Sequence, residues 1–541
     1  MIEAASRGWR PYALLVLLCL GLYLPGLASL PVTDRDEARF AQATRQMLQS
    51  GNFIDIRFQD EPRNNKPAAI YWLQAASVAA FSTAESDAIW PYRLPSLLGA
   101  AGAVLMTFAF GARLVGRAAA LCGAALLASS LGLVVEAHLA KTDAVLLCTC
   151  VAAQGALAEI YRAAPRGSVF WGWAALFWAA EGAAMLVKGP VGPALALLTI
   201  AALCVFERDA RWLRHLKPAW GVPLFLVIVL PWLVAISLAT SGAFLAQSVG
   251  HDFLGKLVGA QESHGAWPGT YLALLPLTFW PGSLLLGGAA VLAWRERGDP
   301  AVRFLIAWAV PFWFVLELVP TKLPNYLLPV FPALALLAGR AAIDAHASAP
   351  AWLRRAVAIV WAAVSLAVAL LLALAPLGFG GTIDALSLAA AFAIVLVAAA
   401  AARSFWRQAT PRLAFPVLAL IAFPALAHEA PQIAPLWLSR DAAAMVARAG
   451  PKTPVAVVGY DEPSLVFLLG TATPIASPGE AARRLAAQHG ALALVESRAE
   501  PAFRAALDDT GVKAEDVAHV EGIDYSNGKR MVITLYRSAP G

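Results

Sequence analysis

Residues 33–67 read TDRDEARFAQATRQMLQSGNFIDIRFQDEPRNNKP, a charged stretch set directly behind the apolar run PYALLVLLCLGLYLPGLASLP of residues 11–31. Between Pro31 and Pro67 lie six acids (Asp34, Asp36, Glu37, Asp55, Asp60, Glu61) and six bases (Arg35, Arg39, Arg45, Arg57, Arg63, Lys66), in a chain that is only 14% charged. Such a concentration beside a membrane-length segment marks a polar task at a bilayer surface. The wider composition agrees, because 541 residues at 60% hydrophobic with a mean hydropathy of +0.66 exceed what a soluble domain carries. The expectation is a mainly α, polytopic membrane bundle.

Apolar windows about 20 residues long fall near 12–30, 93–112, 118–136, 143–161, 168–187, 190–206, 218–238, 269–293, 303–319, 324–340, 354–376, 383–402 and 412–428, about thirteen spans. The first reads as a retained helix rather than a cleaved leader, since many more such runs follow it. Arginine collects at alternate connections: Arg7 and Arg10, Arg113 and Arg117, Arg162 and Arg166, Arg208 to Lys217, Arg295 to Arg303, Arg340 to Arg355, and Arg403 to Arg412. By the positive-inside rule those connections and the N-terminus are cytoplasmic, and an odd number of spans puts the C-terminus outside. The formal charge of +6 then needs no nucleic-acid partner. All five cysteines (Cys19, Cys122, Cys148, Cys150, Cys204) sit in apolar runs, which points to packing rather than to disulfides or a thiolate metal site.

The short connections on the other face carry single lysines: Lys141, Lys188 and Lys322, with Lys256 in the longer loop 239–268. Cations there oppose the topological bias, so they either hold an anion or snorkel to the interface. Within the opening stretch, Asp36, Arg39, Phe40 and Ala43 recur at helical spacing and could set a carboxylate beside a guanidinium. The alternative is that Thr33 or Asp34 caps this helix and Asp36 or Glu37 completes a capping box. Residues 68–81 (AAIYWLQAASVAAF) are too short to cross and carry Tyr71 and Trp72, as an interfacial helix should. Asn64, Asn65, Lys66 and Pro67 precede its start, where unpaired amides favour an anion. The loop 248–268 holds His251, Asp252, Glu262 and His264, residue types that could bind a divalent metal, at spacings matching no compact signature; the alternative is closure over an acceptor with Lys256 on a phosphate.

DRDEARFA, NKPAAIYWLQA, HLAKTDAVLL, LVKGPVGPAL and TKLPNYLLPVFPALALLAG, in this order over roughly residues 10–345, resemble the motifs of the polyprenyl-phosphate-sugar glycosyltransferases of family 39. That family includes protein O-mannosyltransferases and the bacterial aminoarabinose transferase of lipid A. The resemblance implies a C-type glycosyltransferase fold in a bacterial inner membrane, with residues 1–429 as the transferase domain and the site in periplasmic loop 31–92. It implies Asp36 as the carboxylate at the reacting centre and Asp143 as a second acid facing it. Arg39, Lys66, Lys322 and Lys188 would hold the donor phosphate, and Glu37, His251, Lys256 and His264 are candidates for an acceptor or metal loop. The donor would be a polyprenyl-phosphate-linked sugar, and the acceptor an envelope lipid, glycan or protein hydroxyl. Asn65 stands where the family has an acid before the lysine, Phe40 where it has tyrosine, and His138 where relatives often have arginine. Metal bound through the missing acid is thereby in doubt, and His138 reads as a buried histidine with a satisfied partner.

Residues 430–541 change to the composition of a small α/β domain. PVAVVGY, TPIAS, LALVES and KRMVITLYR read as strands, GEAARRLAAQHG and EPAFRAALDDTG as helices, and Ser526-Asn527-Gly528 as the turn of a terminal hairpin. With no phosphate loop or nucleophile elbow in it, a supporting or acceptor-positioning role is expected. The classes competing with a transferase are a lipid-linked-sugar flippase, which should show ionisable residues near mid-membrane or inverted repeats, and a scaffold, which needs no paired acids.

Overall fold

In a computed structural model, the residues described are 2–33, 35–167, 170–248, 265–344, 349–379, 381–450, 453, 455–525 and 527–539. All the apolar runs lie on helix, but they are not alike. Among the described residues eight helices are long and apolar enough to cross a membrane, and ten spans result when each of two bent pairs counts as one. The pairs are Arg117–Ser129 with Leu131–Ala137, bent by 59°, and Thr270–Thr278 with Gly282–Arg295, bent by 118°. The other three runs form the helices Arg10–Tyr23, Trp171–Lys188 and Val191–Glu207. The sharp bend makes the run near 269–293 a broken or re-entrant element rather than the straight span its hydropathy suggests.

Small residues set the packing where polar groups must meet. A Cβ on Gly99 would lie 2.9 Å from the backbone of Ala144 and Val145, so helix Trp90–Leu114 touches the first turn of helix Asp143–Ala163 main chain to main chain. Likewise a Cβ on Gly339 would come within 2.3 Å of the Ala119 carbonyl, which seats helix Phe331–Ile343 on helix Arg117–Ser129. The first of these approaches lies beside the charged stretch, and the second lies at the opposite helix ends, next to Arg117 and Arg340.

That stretch folds as expected into a surface helix, Asp36–Ser50, then a two-residue hairpin pairing Arg57–Phe58 with Glu61–Pro62, then the short helix Ala69–Phe81. Helix Asp36–Ser50 has two covered faces. Phe40, Ala43 and Met47 join the membrane-domain core, whereas Ala38 and Ala41 pack with Tyr92 and Phe467. Phe467 belongs to the C-terminal domain, whose four-stranded mixed sheet has the order 455–458, 492–496, 529–538, 514–524. The first pair is parallel and the others antiparallel, with a register shift between Asp516 and Ala518. Of the strands expected, TPIAS supplies only an isolated bridge from Ile475 to Val457. The strand Ala514–Asp524, too polar to stand out by alternation, partners the last strand in the terminal hairpin. One sheet face packs on helix Leu438–Ala449 and the other on helices Pro478–Ala487 and Glu500–Thr510.

Candidate active site

Helix Asp36–Ser50 begins abruptly. Arg35 sits at φ 60°, a backbone region costly for a side-chain-bearing residue, and no side chain caps the helix. What fixes its first turn is Glu37. Arg93 Nε donates to Glu37 Oε1 at 2.8 Å and Nη2 to Oε2 at 2.9 Å, with both side chains 1% exposed. The Thr33 amide and hydroxyl donate to Oε2 at 2.8 and 2.9 Å, and the Ala140 amide to Oε1 at 2.9 Å. The remaining donors of Arg93 reach the carbonyls of Leu27, Leu30 and Pro31. Burial pushes the Glu37 carboxyl up, but Arg93 and these donors more than offset it and hold it below the usual carboxylate range. Glu37 was grouped with residues that could meet an acceptor or metal; its saturated, buried carboxylate instead ties four segments together, and its bonds to Thr33, four residues back and outside the helix that starts after Arg35, are not those of a capping box.

The knot has a consequence for its neighbours. Ala140 lies three residues before Asp143, so the Glu37–Ala140 bond brings the Asp36 turn and the start of helix Asp143–Ala163 to the same face of the molecule. Asp36 itself is exposed. Its charge acts on Tyr71 and on Lys141. Lys141 pairs with Glu136 at 2.9 Å. Burial alone would lower the Lys141 ammonium, yet Glu136, Asp143 and Asp36 together hold it above its ordinary value. One lysine, paired with Glu136, thus feels the charge of both acids.

Asp143 is buried. Lys188 Nζ donates to its Oδ1 at 2.6 Å, and Asn325 Nδ2 donates to the same oxygen at 2.7 Å. Lys188 also lies 5.3 Å from the Tyr326 ring centroid. The helix end bearing Lys188 and the segment bearing Asn325 therefore converge on one carboxylate. Lys322 is buried three residues before Asn325 and donates to the Val319 carbonyl rather than to an acid. Arg39 is half-buried on the helix one turn after Asp36, and Lys66 is half-buried just before helix Ala69–Phe81.

Several participants were not singled out in advance. Arg63 donates from Nε to the Tyr71 hydroxyl at 3.0 Å and stacks 4.9 Å from the Phe40 ring, whose centroid is 5.3 Å from that of Tyr71. Phe40 thus makes an aromatic platform without a hydroxyl of its own. Arg93 did carry a signal: an arginine flanked by Tyr92, Leu94 and Pro95 near the start of a span needs a buried acid. His138 is satisfied, with Nδ1 2.7 Å from the Val134 carbonyl and Nε2 2.8 Å from that of Pro25. His251, Lys256 and His264 lie outside the described residues. Among the described residues no three His, Cys, Asp or Glu side chains converge as a metal site. One acid lies deeper than expected. Glu181, seven residues before Lys188 on its helix, is buried, and its Oε2 has no hydrogen-bond partner.

Residues 12–243 match a family model described as Dolichyl-phosphate-mannose-protein mannosyltransferase. The chain is 29% identical over 333 residues to an undecaprenyl phosphate-alpha-4-amino-4-deoxy-L-arabinose arabinosyl transferase of Pseudomonas paraeruginosa, covering 61% of this chain and 59% of the relative. It is 28% identical over 340 residues to a like-named protein of Pseudomonas fluorescens, covering 63% and 60%. The chain therefore spans about three fifths of the length of the curated relatives it matches. Among solved structures, ArnT from Cupriavidus metallidurans bound to undecaprenyl phosphate superposes with a TM-score of 0.76 over 97% of both chains at 22% identity. An oligosaccharyltransferase of Archaeoglobus fulgidus follows at a TM-score of 0.53 and 12% identity, over 95% of this chain and 70% of that one. The chain has the C-type glycosyltransferase fold of ArnT, C-terminal domain included.

Proposed function

We propose that this multi-pass inner-membrane protein is a glycosyltransferase that moves a sugar from a polyprenyl-phosphate donor to an envelope acceptor at the periplasmic face, with its N-terminus in the cytoplasm and residues 430–541 in the periplasm. The names of its relatives make undecaprenyl phosphate bearing a 4-amino-pentose the first donor to try, and lipid A or another envelope glycolipid the first acceptor.

In the reaction, the bond between the sugar's anomeric carbon and the phosphate oxygen breaks, the electron pair leaves with polyprenyl phosphate, and the acceptor oxygen bonds to the same carbon. The departing phosphate needs cations, and Arg39 and Lys66 are assigned to it, with Lys322 at the edge. A hydroxyl acceptor must also lose a proton. Asp36, exposed one turn ahead of Arg39, takes it; a phosphate acceptor, already anionic, needs only orientation. Asp143 is assigned the second acidic position, where Lys188 and Asn325 orient it.

The observation that carries this reading is the 2.9 Å bond from the Ala140 amide to Glu37, which sets the turn bearing Asp36 beside the start of the helix bearing Asp143. Its test is sugar transfer by Asp36→Asn protein in proteoliposomes. Removing a general base costs roughly 10²–10⁴ in rate, so transfer at the wild-type rate from a lipid-linked donor to a hydroxyl acceptor would remove the proposal.

A transport reading draws on Glu181, an ionisable group inside a helix about 10 Å along its axis from Lys188. It predicts that Glu181→Gln abolishes donor flipping in vesicles while leaving transfer from an outward-facing donor intact.

A further inference from the structure

Residues 42, 45, 46 and 49 of helix Asp36–Ser50 recur at helical spacing and form a polar stripe turned toward the C-terminal domain. Gln42 Nε2 donates to Thr471 Oγ1 at 2.8 Å, and that hydroxyl donates to Gln49 Oε1 at 2.8 Å. Gln46 exchanges two bonds with the backbone of Gln59, at 2.6 and 2.8 Å. The Gln59 side chain then donates to the carbonyls of Thr471 and Thr473, at 3.2 and 2.6 Å. At the centre of the stripe Arg45, 3% exposed, donates to the carbonyls of Phe467 and Ser86, and its guanidinium carbon lies 4.2 Å from the Phe467 ring centroid. Phe467 packs edge-on against Tyr92 at 5.5 Å, and Tyr92 adjoins the Arg93 that grips Glu37.

We propose that the C-terminal domain is the positioning element of the acidic helix and that Arg45 is the residue through which its docking sets Asp36; this rests on the transfer reading above. Asp36 and Arg45 are nine residues apart on one helix, roughly 13 Å along its axis. Because Arg93 holds Glu37, loss of the dock lets the helix turn about that end and re-aims the adjacent Asp36 side chain, and a misplacement of about 1 Å in a reacting group costs on the order of a hundredfold in rate. A polar stripe suits this purpose better than an apolar one. Hydrogen bonds at Gln42, Gln46 and Gln49 are satisfied in only one register, whereas an apolar face would also dock slightly rotated.

The test uses the full-length protein in proteoliposomes with undecaprenyl-phosphate-linked amino-pentose as donor. Thr471→Val, which removes the hydroxyl shared by Gln42 and Gln49, lowers kcat roughly tenfold and Arg45→Ala roughly a hundredfold, with the donor KM changed less than about twofold. Arg45→Lys recovers part of the kcat lost in Arg45→Ala, and hydrogen exchange quickens in residues 38–50 but not in the membrane helices. Should Arg45→Ala fail to fold, Thr471→Val decides. The proposal is overturned if Thr471→Val and Arg45→Ala keep wild-type kcat while Asp36→Asn abolishes transfer, or if KM rises in step with the fall in kcat. If Asp36→Asn transfers at the wild-type rate, it is the transfer reading that fails.

Discussion

Glu37→Gln is the substitution whose cost the geometry specifies best. The carboxylate accepts five hydrogen bonds: two from Arg93, two from Thr33 and one from Ala140. Glutamine is nearly the same size but replaces one acceptor oxygen with an NH2 group, which then faces either Arg93 Nε and the Ala140 amide or Arg93 Nη2 and the Thr33 donors. At least two bonds are lost whichever way the amide turns, and Arg93, 1% exposed, is left without its counter-charge. Breaking a buried pair in this way costs about 3–5 kcal/mol. The loss is local in the first instance, so amide exchange of residues 36–50 and 138–143 is the suitable assay, read as the change in opening free energy. The same residue sets a pH dependence. Its folded-state pKa is lowered, so the stability it contributes is complete above the ordinary carboxylate range and is lost as pH falls through the lowered value. Wild-type protein therefore loosens in this region on acidification, and Glu37→Gln removes that dependence. Combining Glu37→Gln with Arg93→Gln costs less than the sum of the two, because the second change takes away the stranded cation. A loss below about 1 kcal/mol for Glu37→Gln, or strict additivity with Arg93→Gln, would refute the assignment of Glu37 as the knot.

Lys141→Met leaves Glu136 buried without its 2.9 Å partner and takes away a cation that feels the charge of Asp36 and Asp143, so it lowers both local stability, by about 3 kcal/mol, and transfer, as amide exchange and initial rates will show. Asn325→Asp sets a second carboxylate where a donor now lies 2.7 Å from Asp143; transfer should fall further than in Asn325→Ala and recover in part at lower pH, as a pH–rate profile will show. Arg63→Ala removes a hydrogen bond to Tyr71 and a stacked cation on Phe40, together worth about 1–2 kcal/mol, measurable by thermal unfolding of the purified protein.

What could be read in advance was whatever periodicity or bulk composition carries. The apolar runs all became helix, the helix Asp36–Ser50 and the short helix at Ala69–Phe81 stand where spacing put them, and the lysines at 141 and 188 reach acids. Span number was less legible, because hydropathy counts residues and is blind to a 118° reversal inside one apolar run. The role of Glu37 was hidden for a different reason. Its partner Arg93 is 56 positions away, and an acid in a helix's first turn looks the same whether it faces water or a buried guanidinium. Arg45 and Phe467 are separated by 422 residues, and nothing local in either segment marks the contact. Asn325 lay inside a recognised motif, but its carboxylate partner lies 182 positions away and emerges only once helix Asp143–Ala163 and the segment before Phe331 meet in the fold.

The central claim is that Asp36, its cationic neighbours and Asp143 line one pocket around the donor phosphate. Photo-crosslinking with a polyprenyl phosphate carrying a diazirine next to the phosphate tests it most directly. Labelling is expected in peptides from residues 36–45, 63–72 and 138–146, suppressed by unlabelled polyprenyl phosphate. Labelling confined to the opposite face, at residues 207–217 or 295–303, would contradict it.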